Sequence, residues 1–263
     1  GSIDYPFGNA IFTIAPSSSA PVVVRGFALI GGGSDVQVSG AGAHRVQCNH
    51  LHVTAPGDAL FYPGPPWYGI GVGIDQSAQG AIVGTDGDGV GDLAERNVVA
   101  GAGQGVYVNA NADSRIAGNL FCLAADGTTS LGGTIGVLIR QSSNDNLVGT
   151  DWDGVSDALE GNVVAGCQTG IALGVTGGGP TGNVIAGNRI GLDGTGNVVG
   201  LTVQNAPSTV VDDNVFTGNE SAIDLTGTST LGEGSERNCI EGNLMGLSHA
   251  GDASLVFENN WWC

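Results

Sequence analysis

Short stretches in which an aliphatic residue alternates with a smaller or polar one recur along most of the chain. From Val22 onward they are separated by Gly, Asn and Asp, as in GVGI, GVYV, GVLI, GIAL, GLTV and SAIDL. A period of two is typical of a β-strand with one buried face, and no stretch has the period of about 3.6 residues that marks an amphipathic helix. The pattern predicts many short strands with five inward-pointing pairs: Val72/Ile74, Val106/Val108, Val137/Ile139, Ile171/Leu173 and Ile223/Leu225.

A second recurring segment lies between these strands. Its copies read RIAGNLF, VIAGNRI, VVDDNVF, CIEGNLM and VFENNWW, and RVQCNHL is a further variant. Asparagine tolerates left-handed backbone geometry at a turn, and stacked copies can bond one another through their amides. A turn residue repeated between strands too short to stand alone indicates a solenoid. The alignment places one asparagine of each copy at a common register: Asn49, Asn119, Asn188, Asn214, Asn243 and Asn260.

These segments resemble the right-handed parallel β-helix proteins of the pectin-lyase-like superfamily, in particular bacterial secreted members. The resemblance covers residues 22–262, and it implies a single-stranded, all-β solenoid of about ten coils, each about 4.8 Å high, with inserted corner loops. We therefore expect a lead-in or cap strand over residues 1–21 and the β-helix over residues 22–263. The closing FENNWWC resembles a near-C-terminal NNWWG segment of the family, so the β-helix is expected to extend past residue 263.

The chain carries one 21-residue stretch twice, at residues 81–101 and 146–166, with fourteen identical positions. Each copy holds four carboxylates within ten residues, and those of the second copy lie 65 residues after those of the first. Carboxylates this close repel one another unless something offsets their charge, and a bound cation is the simplest offset. The four pairs are Asp86/Asp151, Asp88/Asp153, Asp92/Asp157 and Glu95/Glu160.

The spacing D-x-D-G-x-x-D-x-x-E matches most ligand positions of the EF-hand calcium loop, including the glycine at its sharp turn. In that comparison Val90 and Val155 would each supply a backbone carbonyl. The first EF-hand position is Gly84 or Gly149, so one carboxylate is missing, and no helix is predicted beside either loop. The alternative is a polar corner whose Asp side chains cap turns. We predict two stabilising Ca²⁺ sites, formed by Asp86, Asp88, Val90, Asp92 and Glu95, and by Asp151, Asp153, Val155, Asp157 and Glu160.

Seven Arg and no Lys against 25 acidic residues give a net charge of −18. This balance argues against binding to nucleic acid or to an anionic membrane surface, and it is compatible with cations and neutral glycans. No apolar run approaches the roughly 18 residues of a membrane span. Together with the resemblance, the composition predicts an extracellular or cell-surface protein. Five cysteines leave at least one thiol unpaired within the chain.

Two other constellations are candidate binding sites. Cys48, His50 and His52 alternate and could hold Zn²⁺ or Cu²⁺, although an exposed polar strand explains them better. The insertion ALFYPGPPWY at residues 59–68 carries Tyr62, Trp67 and Tyr68, whose flat faces suit stacking against a sugar. Covering an end of the coil is an equally good interpretation of this insertion.

Catalytic motifs of the family are not found. Its glycoside hydrolases have GHG and RIK motifs, which do not occur here, and its lyases combine calcium with an Arg or Lys base. Arg140 is the weak candidate for such a base, on an outer face expected to hold Asp75, Tyr107, Asn109, Gln204 and Asp224. The preferred function is therefore a calcium-stabilised module that binds a polysaccharide or cell-surface glycan. The alternative is a calcium-assisted polysaccharide lyase, which is favoured over a hydrolase.

Overall fold

The computed structural model describes residues 10–15, 17–31, 33–62, 67–75, 78–174, 179–251, 254–255 and 259–261. Residues 1–9 of the expected lead-in and Pro63–Pro66 of the aromatic insertion lie outside this part of the chain. In chain order the strands are β1 (Phe12–Ile14), β2 (Val23–Arg25), β3 (Ala28–Leu29), β4 (Ser34–Val38), β5 (Arg45–Gln47), β6 (His50–Leu51), β7 (Ile70–Ile74), β8 (Ile82–Gly84), β9 (Val98–Val99), β10 (Gln104–Asn109), β11 (Arg115–Ala117), β12 (Leu120–Phe121), β13 (Gly133–Arg140), β14 (Leu147–Gly149), β15 (Val163–Val164), β16 (Cys167–Leu173), β17 (Val184–Ala186), β18 (Arg189–Ile190), β19 (Val199–Gln204), β20 (Val210–Asp212), β21 (Val215–Thr217), β22 (Ser221–Thr226), β23 (Thr230–Leu231), β24 (Cys239–Glu241), β25 (Met245–His249) and β26 (Ser254–Leu255).

The strands form three long parallel sheets, which we call A, B and C, and β23 and β26 form a separate two-stranded sheet. Sheet A has the order β1-β4-β7-β10-β13-β16-β19-β22-β25, sheet B has β2-β5-β8-β11-β14-β17-β20, and sheet C runs from β3 to β24 in the same direction. One strand from each sheet in turn makes one coil, so the chain climbs from coil to coil through every third strand. The nine strands of sheet A agree with the predicted parallel β-helix of about ten coils.

The interior is a column of aliphatic side chains in register. Val72 pairs with Val106, Val106 with Val137, and Val137 with Ile171, so like positions stack directly on one another. All five predicted inward pairs are at most 1 % exposed. Small aliphatic side chains suit this interior because each must pack against the coils above and below it as well as across the core.

Asparagine side chains line the corner between sheets B and C and join one coil to the next. In each step the amide of one asparagine donates to the side-chain oxygen of the asparagine one coil on, as from Asn119 to Asn162 (3.0 Å) and from Asn162 to Asn188 (2.9 Å). Every rung therefore satisfies a buried polar group that would otherwise be costly. The ladder is formed by Asn49, Asn97, Asn119, Asn162, Asn188, Asn214, Asn238 and Asn260.

The predicted register is wrong at one position. Asn243 belongs to a second ladder, at the corner between sheets C and A, where it follows Asn197 and Asn219. The place assigned to it in the first ladder is taken by Asn238. The error has a simple cause: the segment CIEGNLM begins in sheet C, since Cys239 pairs with Val215, whereas RIAGNLF begins in sheet B. Gly-Asn turns occur at both corners, so the motif alone does not say which corner a copy occupies.

Insertions alternate between two corners on successive coils. Residues 85–96, which we call loop 1, follow β8, and residues 150–161, which we call loop 2, follow β14, both at the corner between sheets B and C. Loop 1 contains the 3-10 helix Asp92–Glu95 and loop 2 contains helix α1 (Asp157–Glu160). The coils before and between them carry hairpins at the corner between sheets C and A, closed by the pairs Val53/Leu60 and Leu123/Ser130.

A disulfide joins Cys122, at the end of sheet C in one coil, to Cys167, which begins β16 in the next coil. Cys239 is also disulfide-bonded, and Cys48 is a free thiol, as the odd number of cysteines requires. None of the helices described here is long and apolar enough to cross a membrane.

Candidate functional site

Loop 2 brings its four predicted carboxylates together. One oxygen from each of Asp151, Asp153, Asp157 and Glu160 lies within 4.8 Å of the others. Helix α1 produces this arrangement because Asp157 and Glu160 are three residues apart and therefore share one face of its single turn. Glu160 is fully buried, whereas Asp151 and Asp153 are exposed to solvent.

Loop 1 brings together only three of its four. Asp86, Asp92 and Glu95 converge within the same 4.8 Å limit, and Asp92 and Glu95 are both buried. The side chain of Asp88 does not join them, although its Oδ1 accepts a hydrogen bond from the Val90 N–H at 2.8 Å just as Asp153 Oδ1 accepts one from the Val155 N–H at 2.7 Å in loop 2. Two loops with the same carboxylate spacing therefore differ in how many carboxylates face one point.

Both loops are closed by their glutamate. The Glu95 Oε2 atom accepts from the Asp86 N–H at 3.1 Å, and the Glu160 Oε2 atom accepts from the Asp151 N–H at 3.2 Å. One oxygen of each glutamate is thus occupied in the conformation described here, whereas the last glutamate of an EF-hand gives both oxygens to the metal. The resemblance to the EF-hand extends to spacing and side-chain chemistry but not to this hydrogen-bonding pattern.

Glycine at the first EF-hand position has a structural cause. Gly84 and Gly149 end strands β8 and β14 with φ of 97° and 110°, a left-handed geometry that favours glycine. A Cβ at either position would run into a carbonyl oxygen on a neighbouring coil, that of Ala117 or of Ala186. The coil stack therefore excludes any carboxylate at this position.

Arginines from earlier coils partly neutralise the carboxylates, a feature that the sequence analysis missed. Arg45 Nη1 lies 2.5 Å from Asp86 Oδ2, and Arg115 Nη1 lies 2.9 Å from Asp151 Oδ2. The two arginines occupy equivalent places, because Arg45 pairs in register with Ile82 at the start of β8 and Arg115 with Leu147 at the start of β14. Aligning RVQ and RIA with the strands that begin the loops would have revealed this relation.

The glutamates differ in their arginine partners. Glu160 forms an ion pair with Arg115, whose side chain is 17 % exposed, inside loop 2. Glu95 lies 3.6 Å from Arg25, a side chain that is 45 % exposed. Burial raises the pKa of Glu95, and the Asp86 N–H and Arg25 only partly oppose this effect. Burial also opposes ionisation of Asp92, but hydrogen bonds from Ser156, Thr85 and backbone N–H groups hold the pKa of Asp92 below its usual range.

The two loops contact each other across the coil that separates them. Ser156 Oγ of loop 2 donates to Asp92 Oδ2 of loop 1 at 2.5 Å. Arg115, on the intervening strand β11, donates to the Asp86 carbonyl oxygen at 3.3 Å while it pairs with Asp151 and Glu160. The loops thus form one surface, with Arg115 between them.

The aromatic insertion is partly packed and partly exposed. Tyr62 is 69 % exposed and Tyr68 is 51 % exposed, and Phe61 stands edge-on to Tyr62 with ring centroids 5.2 Å apart. Trp67 is half-buried, and its ring lies so close to Gly132 that a Cβ there would be 2.6 Å from the indole. Of the three predicted sugar-stacking residues, the two tyrosines present their side chains to solvent.

Cys48, His50 and His52 do not share one strand. The chain turns at Cys48 (φ 56°) and again at His52 (φ 62°), so only His50 lies in β6. His50 Nδ1 is 2.7 Å from the Ala55 carbonyl oxygen, and His52 Nε2 is 3.4 Å from Asp35 Oδ2. Burial raises the pKa of Asp35 to about 8 and lowers the pKa of His52.

The residues expected beside Arg140 on the outer face of sheet A fall at two different registers. Arg140 pairs in register with Asn109, whereas Asp224 aligns through Thr202, Ala172 and Leu138 with Tyr107. Asp224 is also three strands away from Arg140 in the sheet order.

The fold and its paired loops define the class of protein: a right-handed parallel β-helix with two stacked acidic corner loops. The chain belongs to the NosD family, whose description is "periplasmic copper-binding protein", and the family model matches residues 68–261. No curated protein matches the chain. A solved structure with a similar fold is that of the periplasmic alginate epimerase AlgG, at 10 % identity and a TM-score of 0.49. That match covers 90 % of this chain, which spans 60 % of the length of the epimerase chain.

Proposed function

We propose that this chain is an exported, non-catalytic β-helix module whose acidic loops bind Ca²⁺, and that the metal stabilises the coil stack. The observation that carries the proposal is the convergence of four carboxylates within 4.8 Å in loop 2. Four acidic groups held this close repel one another, and a hard divalent cation with oxygen ligands offsets the repulsion directly.

The charge balance favours loop 2 over loop 1. In loop 2 four converging carboxylates face Arg115, which leaves a formal charge of −4 + 1 = −3. In loop 1 three converging carboxylates face Arg45 and Arg25, which leaves −3 + 2 = −1. Since Ca²⁺ affinity rises with the number of charged ligands, we expect loop 2 to be the tighter site.

Copper, the metal in the family's description, fits these residues poorly. Copper sites in proteins draw on imidazole, thiolate and thioether ligands. Within the described ranges, both groups of three or more converging metal-ligating side chains consist of carboxylates alone. His44, His50 and His52 are each engaged by a backbone or carboxyl group instead. The donor set therefore supports a hard cation.

Two observations support a location outside the cytoplasm. The Cys122–Cys167 disulfide is typical of an oxidising compartment. The family is described as periplasmic, which agrees with this. The extracellular or cell-surface location expected from the sequence agrees with that description only in lying outside the cytoplasm.

Calorimetric titration of chelated protein with Ca²⁺, Mg²⁺ and Cu²⁺ tests the proposal. We expect heat of binding with Ca²⁺, a higher melting temperature in its presence, and a smaller response to Mg²⁺, which requires stricter octahedral geometry. Absence of both heat and thermal shift with Ca²⁺ would refute the metal sites. Strong Cu²⁺ binding that survives Asp153→Asn/Asp157→Asn would point to copper ligands elsewhere in the chain.

Glycan binding is the second candidate function, and the exposure of Tyr62 and Tyr68 favours it. Flat, solvent-exposed aromatic faces suit stacking against a sugar ring. A glycan array with Tyr62→Ala/Tyr68→Ala tests this, with Tyr107→Ala on the outer face of sheet A as the matched control. Binding lost only in the control would indicate that the glycan site lies on sheet A instead.

The lyase alternative is tested by incubating the chain with polysaccharides. Unsaturated products that form with the wild-type chain but not with Arg140→Ala would favour it.

A further inference from the structure

We propose that the groove between the two loops is a docking site for a basic polypeptide segment with aliphatic side chains. This interloop groove is lined by Gly89, Gly91, Leu93 and Ala94 of loop 1 and by Ser156 and Leu159 of loop 2. The proposal concerns the outer surface of the metal-free loops, because Ca²⁺ bound to their carboxylates would offset the negative charge on which it depends.

Both loops expose aliphatic side chains around this groove. Val90 is 75 % exposed, Leu93 61 %, Val155 43 % and Leu159 37 %. Single exposed aliphatic residues are ordinary, but a contiguous group rimmed by charged residues is typical of an interaction surface. Leu93 and Leu159 line the groove itself, and Val90 and Val155 are exposed on the same two loops, so these side chains call for a partner that covers them.

The groove is held open by the loops themselves. Gly89 and Gly91 have φ of 84° and 86° and add no side chains to the space. Asp92, which is 4 % exposed, joins its two walls by accepting the hydrogen bond from Ser156. A surface fixed in this way loses little conformational entropy when a partner binds.

Charge identifies the chemistry of the partner. The two loops carry eight carboxylates and Arg96, and with the three arginines paired to them from earlier coils the formal charge is −8 + 4 = −4. A second copy of the chain, at −18, would be repelled, as would nucleic acid or an anionic membrane. A neutral glycan would gain little from leucine and valine side chains. A segment that carries Lys or Arg beside Leu or Val is complementary both to the acidic loops and to the aliphatic groove.

A labelled amphipathic Leu–Lys peptide is a suitable probe, titrated against the full chain in the presence of chelator. Leu93→Ser/Leu159→Ser should weaken binding about tenfold or more, because buried apolar anchors dominate such interfaces. The matched control is Val198→Ser/Leu244→Ser, which removes two aliphatic residues that are 47 % and 87 % exposed elsewhere and should leave affinity unchanged. Ala94→Arg should block the groove by size and charge.

Three outcomes would overturn the proposal. One is equal binding by the groove variant and the control variant. Another is equal binding of a Ser–Lys peptide, which would reduce the interaction to charge alone. The third is no binding of the Leu–Lys peptide to the wild-type chain. Chelator is present throughout, so failure of the peptide to bind would not count against the calcium proposal. Binding of the peptide would likewise not depend on bound calcium.

Discussion

Loop 1 and loop 2 share seven of their 12 residues and the same carboxylate spacing, yet they form different carboxylate clusters. In loop 2 four carboxylates converge beside one arginine, Arg115. In loop 1 three converge beside two arginines, Arg25 and Arg45. The arginines in this comparison lie outside the loops and are supplied by earlier coils. In a stacked fold the chemistry of a corner loop is therefore set jointly by its own sequence and by the coil beneath it.

The clearest contrast is between Glu160 and Glu95, and we expect it to give the largest effect. Glu160→Gln leaves Arg115 paired only with the more exposed Asp151, which should lower the free energy of unfolding by about 3 kcal/mol. Glu95→Gln should cost less than about 1 kcal/mol, because its arginine is largely exposed and burial already disfavours the charged carboxylate. Denaturant unfolding measures both. Equal losses would show that the arginines do not distinguish the loops.

Gly87 and Trp152 occupy equivalent positions and should not be exchangeable. A Cβ at Gly87 would lie 2.7 Å from Arg115 Nη2 and would run into Glu160, and Gly87 has φ of 72°. Gly87→Trp should therefore destabilise the protein by about 2–3 kcal/mol. Trp152→Gly removes a ring beside Gly187 and a cation–π contact with Arg237 (5.6 Å), but the φ of 57° at Trp152 favours glycine, so it should cost less than about 1 kcal/mol. Thermal unfolding of both variants makes the comparison, and a smaller loss in Gly87→Trp would contradict this geometry.

Asp35 extends the comparison of Glu95 and Glu160 to a buried carboxylate that has a histidine rather than an arginine beside it. The folded state holds its proton up to about pH 8, whereas the unfolded state releases it near 3.8, so the free energy of unfolding falls as pH rises between these values. His52, with its lowered pKa, opposes this trend only below 6.5. From pH 6.5 to 8 the slope should be about −1.4 kcal/mol per pH unit, and Asp35→Asn should abolish it. Parallel stability curves for the two proteins would refute the buried proton.

The contact between the loops should have the smallest effect. Ser156→Ala removes the hydroxyl that donates to Asp92 while Thr85 still donates to that carboxylate. We expect a loss of about 1 kcal/mol. The matched control is Ser208→Ala, the same replacement at an exposed serine whose φ of 59° is close to the 58° of Ser156. A loss well above that of the control, but no change in Ca²⁺ affinity, would show that the contact is purely structural.

The sequence is sufficient to predict the strands, the inward pairs and most of the asparagine ladder, because these follow from a local period of two and a recurring turn. Asn243 was misplaced because Gly-Asn turns serve two corners. The roles of Arg45 and Arg115 could not be predicted from motifs, since they depend on register with strands 32 to 37 residues further along the chain. The separation of Asp88 from the other carboxylates of loop 1 could not be predicted either, since Asp88 and Asp153 accept equivalent hydrogen bonds and only Asp153 joins its cluster.

The central claim, that loop 2 is a Ca²⁺ site stronger than loop 1, can be tested with Tb³⁺ luminescence excited through tryptophan. Trp152 lies inside loop 2, whereas loop 1 has Gly87 at that position, so sensitised emission reports mainly on loop 2. The account predicts emission that Ca²⁺ displaces and that Asp153→Asn/Asp157→Asn abolishes. It also predicts that Trp152→Phe removes the emission but retains the heat of Ca²⁺ binding. Emission that persists in the double carboxylate variant, or none that Ca²⁺ can displace, would contradict it.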